Sequence, residues 1–218
     1  MIRIFPLIFI LLWSSAFITT KPIIDNSDPF SALAFRFFFV AIGFYLFSLY
    51  LKQSVIVKQK NLVESLLSGV LFHGFYLGGV FYSISIGMPT GIAALIVTLQ
   101  PILTNALSGP ILGEKVTIKQ WIGVLLGFIG ATLILGFDVG SNIPLLGLIA
   151  TIVALIAITT STIWQKKLSN NLPLSVSNFY QALGGCLFHT LIIIFFSEPY
   201  IDFSQTFIIA MSHQIFLV

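Results

Sequence analysis

Arg36, Trp13, Ser14, Tyr76, Gln100, Asn105 and Tyr180 are the side chains of this sequence that could hold a small polar solute, and each lies within a long apolar run. Arg36 has the most to explain. It falls about seven residues into its run, roughly 10 Å along a helix axis. A charge at the centre of a bilayer costs about 2.5–3.5 kcal/mol on insertion scales. A guanidinium there could attract a substrate carboxylate with its planar fork of donors. It could also reach outer headgroups or pair with Asp25 or Asp28. Trp13 could stack on a substrate or close a cavity, with Ser14 and Ser15 as donors, although small residues also let helices approach. Tyr76 and Tyr180, with Tyr82 and Trp164, could line an aromatic cavity; a belt at the interface is the competing role for Trp164.

A second set lies between Gly87 and Leu135. Pro101 stands in mid-helix and cannot donate to the carbonyl of Val97, so it can act as a hinge or bare a carbonyl. Gln100 and Asn105 flank it, five positions apart, and need not share a face. Gly123 and Gly127 form a G-x-x-x-G pair suited to helix packing. His73, His189 and His213 could couple transport to protons, but no Asp or Glu is embedded in the membrane interior to relay them.

These residues need a membrane to position them. Charged residues make up 8% and hydrophobic residues 57% of the chain, with a mean hydropathy of +1.06; soluble domains carry roughly 25% charge. The net charge of +3 comes from cations in short loops, which excludes a nucleic-acid footprint. A single cysteine, Cys186, excludes an internal disulfide and a cysteine metal cluster. There is no G-x-S-x-G, no H-E-x-x-H and no phosphate-binding glycine loop, so neither an enzyme nor a cofactor is expected. The apolar start after Arg3 lacks a cleavage site of small residues and reads as a retained first helix.

A helix crosses the hydrocarbon core with about 20 apolar residues. Seven runs qualify, near 4–20, 30–51, 62–86, 90–112, 117–136, 143–165 and 173–196, and an eighth begins near Gln205. Asp28-Pro29 opens the second, and Thr117 with Gln120 resembles a capping box before the fifth. With a cytoplasmic N-terminus, eight cations (Arg3, Lys52, Lys58, Lys60, Lys115, Lys119, Lys166, Lys167) lie inside and Lys21 alone outside. That bias fixes the orientation.

Pro29-Phe-Ser-Ala-Leu-Ala-Phe35 and Pro173-Leu-Ser-Val-Ser-Asn-Phe179 both read P-x-S-x-x-x-F, 144 residues apart. Copies five spans apart run in opposite directions, the inverted-repeat pattern of secondary transporters. The offset divides the chain into a first repeat of five helices, residues 1–140, and an incomplete second, residues 141–218, of two helices and part of a third. A complete pair would need roughly 280 residues, so the reading expects a C-terminally truncated sequence.

The motifs run in order: Leu12-Trp-Ser-Ser-Ala-Phe17, Lys21, Phe35-Arg36-Phe37, Tyr82-Ser-Ile-Ser-Ile-Gly87, Ala93-Ala-Leu-Ile96, Gln100-Pro101, Gly113-Glu114-Lys115 and Trp121-Ile-Gly-Val-Leu-Leu-Gly127. This order resembles the EamA-type transporters of the drug/metabolite transporter superfamily. The resemblance implies ten helices in two inverted repeats and export of amino acids, other metabolites or drugs. The expectation is therefore an all-α polytopic membrane protein with about seven full transmembrane helices and a partial eighth. It would sit in the inner (plasma) membrane with a small-molecule metabolite and the lipid bilayer as partners, no nucleic acid, and a second copy of the chain as a candidate partner. The alternative is a non-transporting structural or assembly protein, or an inactive transporter fragment.

Overall fold

Asp28 and Pro29 start the second helix as the sequence predicts. The Asp28 carboxylate accepts from the Ser31 N–H at 2.7 Å while Pro29 occupies the first turn, where no N–H is needed. The computed structural model describes residues 5–113, 116–135, 143–168 and 172–217. Within them the chain forms α1 (Phe5–Ile24), α2 (Pro29–Tyr50), α3 (Gln59–Ser85), α4 (Thr90–Leu112), α5 (Ile118–Leu135), α6 (Leu145–Leu168), α7 (Leu174–Phe196) and α8 (Gln205–Phe216). No strand interrupts them among the described residues; one isolated bridge pairs Ser27 with Ile201. Five helices are long and apolar enough to cross a membrane, namely α2, α3, α4, α6 and α7, and shorter apolar stretches occupy Ile10–Ile24 and Ile118–Gly130.

Local signals hold at two further helix ends. The Thr117 N–H donates to Gln120 Oε1 at 2.8 Å and the Gln120 N–H to Thr117 Oγ1 at 3.3 Å, the reciprocal capping box. Gly113 ends α4 in the left-handed region, with φ of 70°, a conformation that costs a side chain more than a glycine. Glu114, Lys115, Asp138, Ser141, Asn142, Asn170 and Asn171, which the sequence reading also used, lie outside the described residues.

The outer surface is apolar, unlike that of a soluble bundle, while small polar residues sit among the apolar ones inside. Phe38, Leu46, Ile194 and Phe195 point outward, whereas Ser65, Ser68, Thr151 and Ser161 are fully buried between helices. Small hydroxylated residues let apolar helices approach and satisfy one another, as where Ser161 Oγ of α6 donates to the Ser68 carbonyl of α3 at 3.1 Å. α2 lies along α7, α3 is wedged between α6 and α7, α1 packs on α8, and α4 leans on α6 and α5. The closest crossing is glycine-made. A Cβ at Gly69 would overlap the Gln181 carbonyl, and one at Gly184 the Leu66 carbonyl. Gly123 and Gly127 are different: a Cβ at either meets nothing within 4 Å, so α5 finds no close partner through them among the described residues.

Two loop clasps hold the ends of the bundle. At one end the Asp28 N–H donates to the Tyr200 carbonyl at 2.9 Å and the Asp202 N–H to the Asn26 carbonyl at 2.7 Å. At the other, Tyr180 Oη donates to the Val55 carbonyl at 2.6 Å and Ser175 Oγ to Gln53 Oε1.

Candidate functional site

α3 is not a uniform α-helix. Residues Val70–Leu77 are wound as a π-helix between two α-helical segments. Such widened turns are uncommon and concentrate at functional sites. The wider turn brings Phe72, His73, Tyr76 and Leu77 onto one wall of a cavity of about 90 Å³. Trp13 and Thr20 of α1, Arg36 of α2 and Gln214 of α8 also line it. Trp13, Arg36 and Tyr76, distant in sequence, thus meet at one place.

Arg36 is buried, with 7% of its surface exposed. Its Nη1 donates to Gln214 Oε1 at 3.0 Å, and its Nε is buried without a partner. A guanidinium has five N–H donors, so most of its bonding capacity is unused. Neither nearby acid reaches it: Asp25 pairs with Lys21, and Asp28 accepts from the Ser31 N–H and from Ser197 Oγ at 2.5 Å. Gln214 is held hard in turn. Its Nε2 donates to the Ala16 carbonyl at 3.1 Å, Thr19 Oγ1 at 3.0 Å and Thr20 Oγ1 at 3.3 Å. Three acceptors on one side and a cation on the other fix the orientation of the amide, with oxygen toward Arg36. Among the described residues, no Asp or Glu lines the cavity.

Ser14, Gln100, Asn105 and Tyr180 lie elsewhere. Ser14 is exposed and bonds back to the Ile10 carbonyl at 2.6 Å; one residue beyond Trp13, it is turned about 100° around the helix. Gln100 Nε2 reaches Thr104 at 3.1 Å and Thr162 at 3.3 Å, tying α4 to α6. Asn105 is half-buried on α4, which is not a wall of this cavity. Tyr180 belongs to the clasp at Val55. Pro101 stands just after a break in α4, where the helix from Thr90 to Val97 gives way at Thr98 and Leu99 and resumes at Gln100.

Two of the histidines serve helix contacts, whereas His73 lines the cavity with its Nδ1 buried and unpartnered. His189 Nε2 donates to the His73 carbonyl at 2.9 Å, tying α7 to the π-helical segment. Ser15 Oγ donates to the Leu12 carbonyl at 2.7 Å and so accepts from His213 Nε2 at 3.0 Å. Gln214 and the π-helical segment escaped the sequence reading. The one available signal was the glycine cluster at 69, 74, 78 and 79 around His73.

Residues 2–136 match the EamA-like transporter family. The chain belongs to this family. Its other similarities are lower but agree. It is 26% identical over 166 residues to a protein of Bacillus subtilis named uncharacterized transporter YvbV, covering 71% of this chain and 53% of that one. It is 25% identical over 167 residues to an Escherichia coli protein named a probable amino-acid metabolite efflux pump, covering 76% and 53%. A crystal structure superposes on 96% of this chain and 71% of its own, with TM-score 0.76 at 20% identity, which establishes the shared fold. The chain spans about half the length of the curated relatives it matches. Family and helices together make this EamA protein a multi-pass membrane protein.

Proposed function

We propose that this EamA protein is a secondary transporter that exports small metabolites, amino acids and their derivatives among them, by alternating access. One observation carries the reading: a buried, under-bonded arginine faces a cavity inside an apolar bundle. A lone intramembrane cation is expensive and points to a pathway by default. Trp13 and Tyr76 supply the aromatic walls, and Pro101 the hinge of α4.

The inverted repeat fits this mechanism. At an offset of 144 residues, α1, α2 and α3 correspond to α6, α7 and α8. The contact of α1 with α8 then has that of α6 with α3 as its mate, and α2 against α7 is its own mate; all three pairs pack. The clasps obey the same rule, since Ser197 at one corresponds to Gln53 at the other. Two like clasps at opposite ends of the α2–α7 pair are what a pseudo-two-fold relation between the repeats produces. In this reading α1 to α7 all span the inner membrane and the N-terminus is cytoplasmic.

Reporter fusions after Lys60 and after Asp138 are expected to report opposite sides; the same side for both would refute the topology. For transport, vesicles containing the chain are expected to release preloaded small metabolites faster than empty vesicles, and Arg36→Ala to abolish the difference. Equal rates for the variant and its parent would remove Arg36 from the pathway. Pro101→Ala is expected to let α4 run unbroken through Thr98 and Leu99, slowing flux about tenfold while the melting temperature holds or rises. A variant with unchanged flux would rule out the hinge.

A further inference from the structure

The charge pattern of the cavity is more selective than its size. About 90 Å³ is small beside the roughly 300–1,000 Å³ of usual ligand pockets, so any solute held there lies close to Arg36. The lining offers one cation, one amide already committed on both sides, and walls dominated by aromatic and aliphatic side chains. It offers a carboxylate the guanidinium hydrogens that Gln214 leaves unpaired, the Nε–H among them. For an ammonium it offers no acid among the described residues, and the guanidinium itself repels it.

We infer that the Arg36 cavity binds small monocarboxylate anions that lack an ammonium group, and discriminates against zwitterionic amino acids of the same size. This narrows the transport reading above to metabolites with a carboxylate and no ammonium, which removes free amino acids from its substrates, and rests on it for the location of the pathway. The carboxylate binds at the open edge of Arg36, Gln214 holds the opposite edge, and Trp13 covers the apolar part of the anion. An α-ammonium would sit within one or two bonds of the carboxylate, hence against the same guanidinium, and would exchange its water for neutral acceptors at best, the His73 Nδ1 and the Thr20 and Tyr76 hydroxyls, with no acid to balance its charge.

L-lactate and L-alanine test this directly, because they differ only by a hydroxyl in place of an ammonium. 1-Amino-2-propanol supplies the cation without the carboxylate. In the Trp121→Phe/Trp164→Phe background Trp13 is the sole indole of the chain. Its fluorescence in nanodiscs reads the cavity. L-lactate is expected to give a saturable change, L-alanine to need at least about tenfold more solute, and the amino alcohol to give none. Arg36→Lys is expected to weaken the lactate response and Arg36→Gln to remove it. Equal or tighter binding of L-alanine overturns the inference, as does a lactate response that survives in Arg36→Gln or is absent from the parent. Thermal melts of each variant establish that it is folded, and Arg36→Lys decides the matter if Arg36→Gln is not. Flux in vesicles separates the two readings. L-alanine flux without lactate binding leaves transport standing and sinks the inference. Lactate binding without flux of any solute does the reverse.

Discussion

Gly69→Ala is expected to cost this protein its α3–α7 crossing, lowering the melting temperature by several degrees or preventing recovery of folded material from the membrane. The added methyl would overlap the backbone carbonyl of Gln181, and a backbone cannot rotate aside as a side chain can. Overpacking of this kind typically costs about 1–3 kcal/mol and sometimes more. It outweighs the gain of about 1 kcal/mol that alanine brings to a helix interior. Gly184 faces the Leu66 carbonyl at the same crossing, so Gly184→Ala is expected to act alike and the double variant to be less than additive. Gly123→Ala is the matched control. A Cβ there meets nothing within 4 Å, so the same substitution is expected to be neutral or mildly stabilising. Thermal unfolding in one detergent compares all four. A Gly69→Ala melt equal to that of Gly123→Ala would show that the helices do not approach as described.

The second large effect belongs to Gln214, the residue that connects the cation to the frame. Gln214→Leu removes the bond to Arg36 and the bonds to Ala16, Thr19 and Thr20, so α8 loses its polar tie to α2 through Arg36 and keeps the His213–Ser15 bond to α1. Bonds between membrane helices are worth about 0.6 kcal/mol each. A bond to a charged group is worth about 1.5–3 kcal/mol. With two hydrogens on Nε2, hence two full bonds, together they predict a loss of about 3–4 kcal/mol, read in thermal or denaturant unfolding. Gln214→Glu separates anchoring from binding. A carboxylate at that position keeps a partner for Arg36 and neutralises the cavity but cannot donate to Ala16, Thr19 or Thr20, so stability is expected to fall less than in Gln214→Leu while anion binding and flux fall at least tenfold. If Gln214→Glu binds and transports like the parent, the positive charge of Arg36 is not what the solute meets.

The elements and the candidate residues were legible to different degrees. Helix ends read well because capping is local. Asp28, Pro29, Thr117 and Gln120 act within four residues of themselves, and each does what its type predicts. Arg36 was legible because a charge inside an apolar run has few inexpensive explanations. Gln100 and Tyr180 carried the same polar signal, yet they serve helix and loop contacts. An amide or a phenol can satisfy itself on any neighbour, so its type says little about which neighbour it meets. Gly123 and Gly127 show the same ambiguity. A G-x-x-x-G spacing permits close approach, but whether a helix arrives is decided elsewhere in the chain, and here the close approach falls at Gly69 and Gly184.

The sequence alone determined that this chain is a bundle of apolar helices with one costly internal cation, and that its motifs follow the order of the EamA family. Those properties rest on composition, on capping and on the energy of charge in lipid, all of which act along the chain. Only the tertiary structure decided what Arg36 faces. The π-helical turn of α3 brings Tyr76 toward it, and Gln214, about 178 residues away, occupies one of its edges while leaving Nε bare. Such a meeting depends on how α1, α2, α3 and α8 cross, and crossings between apolar helices follow from the shapes of their faces, which no local pattern of residues specifies.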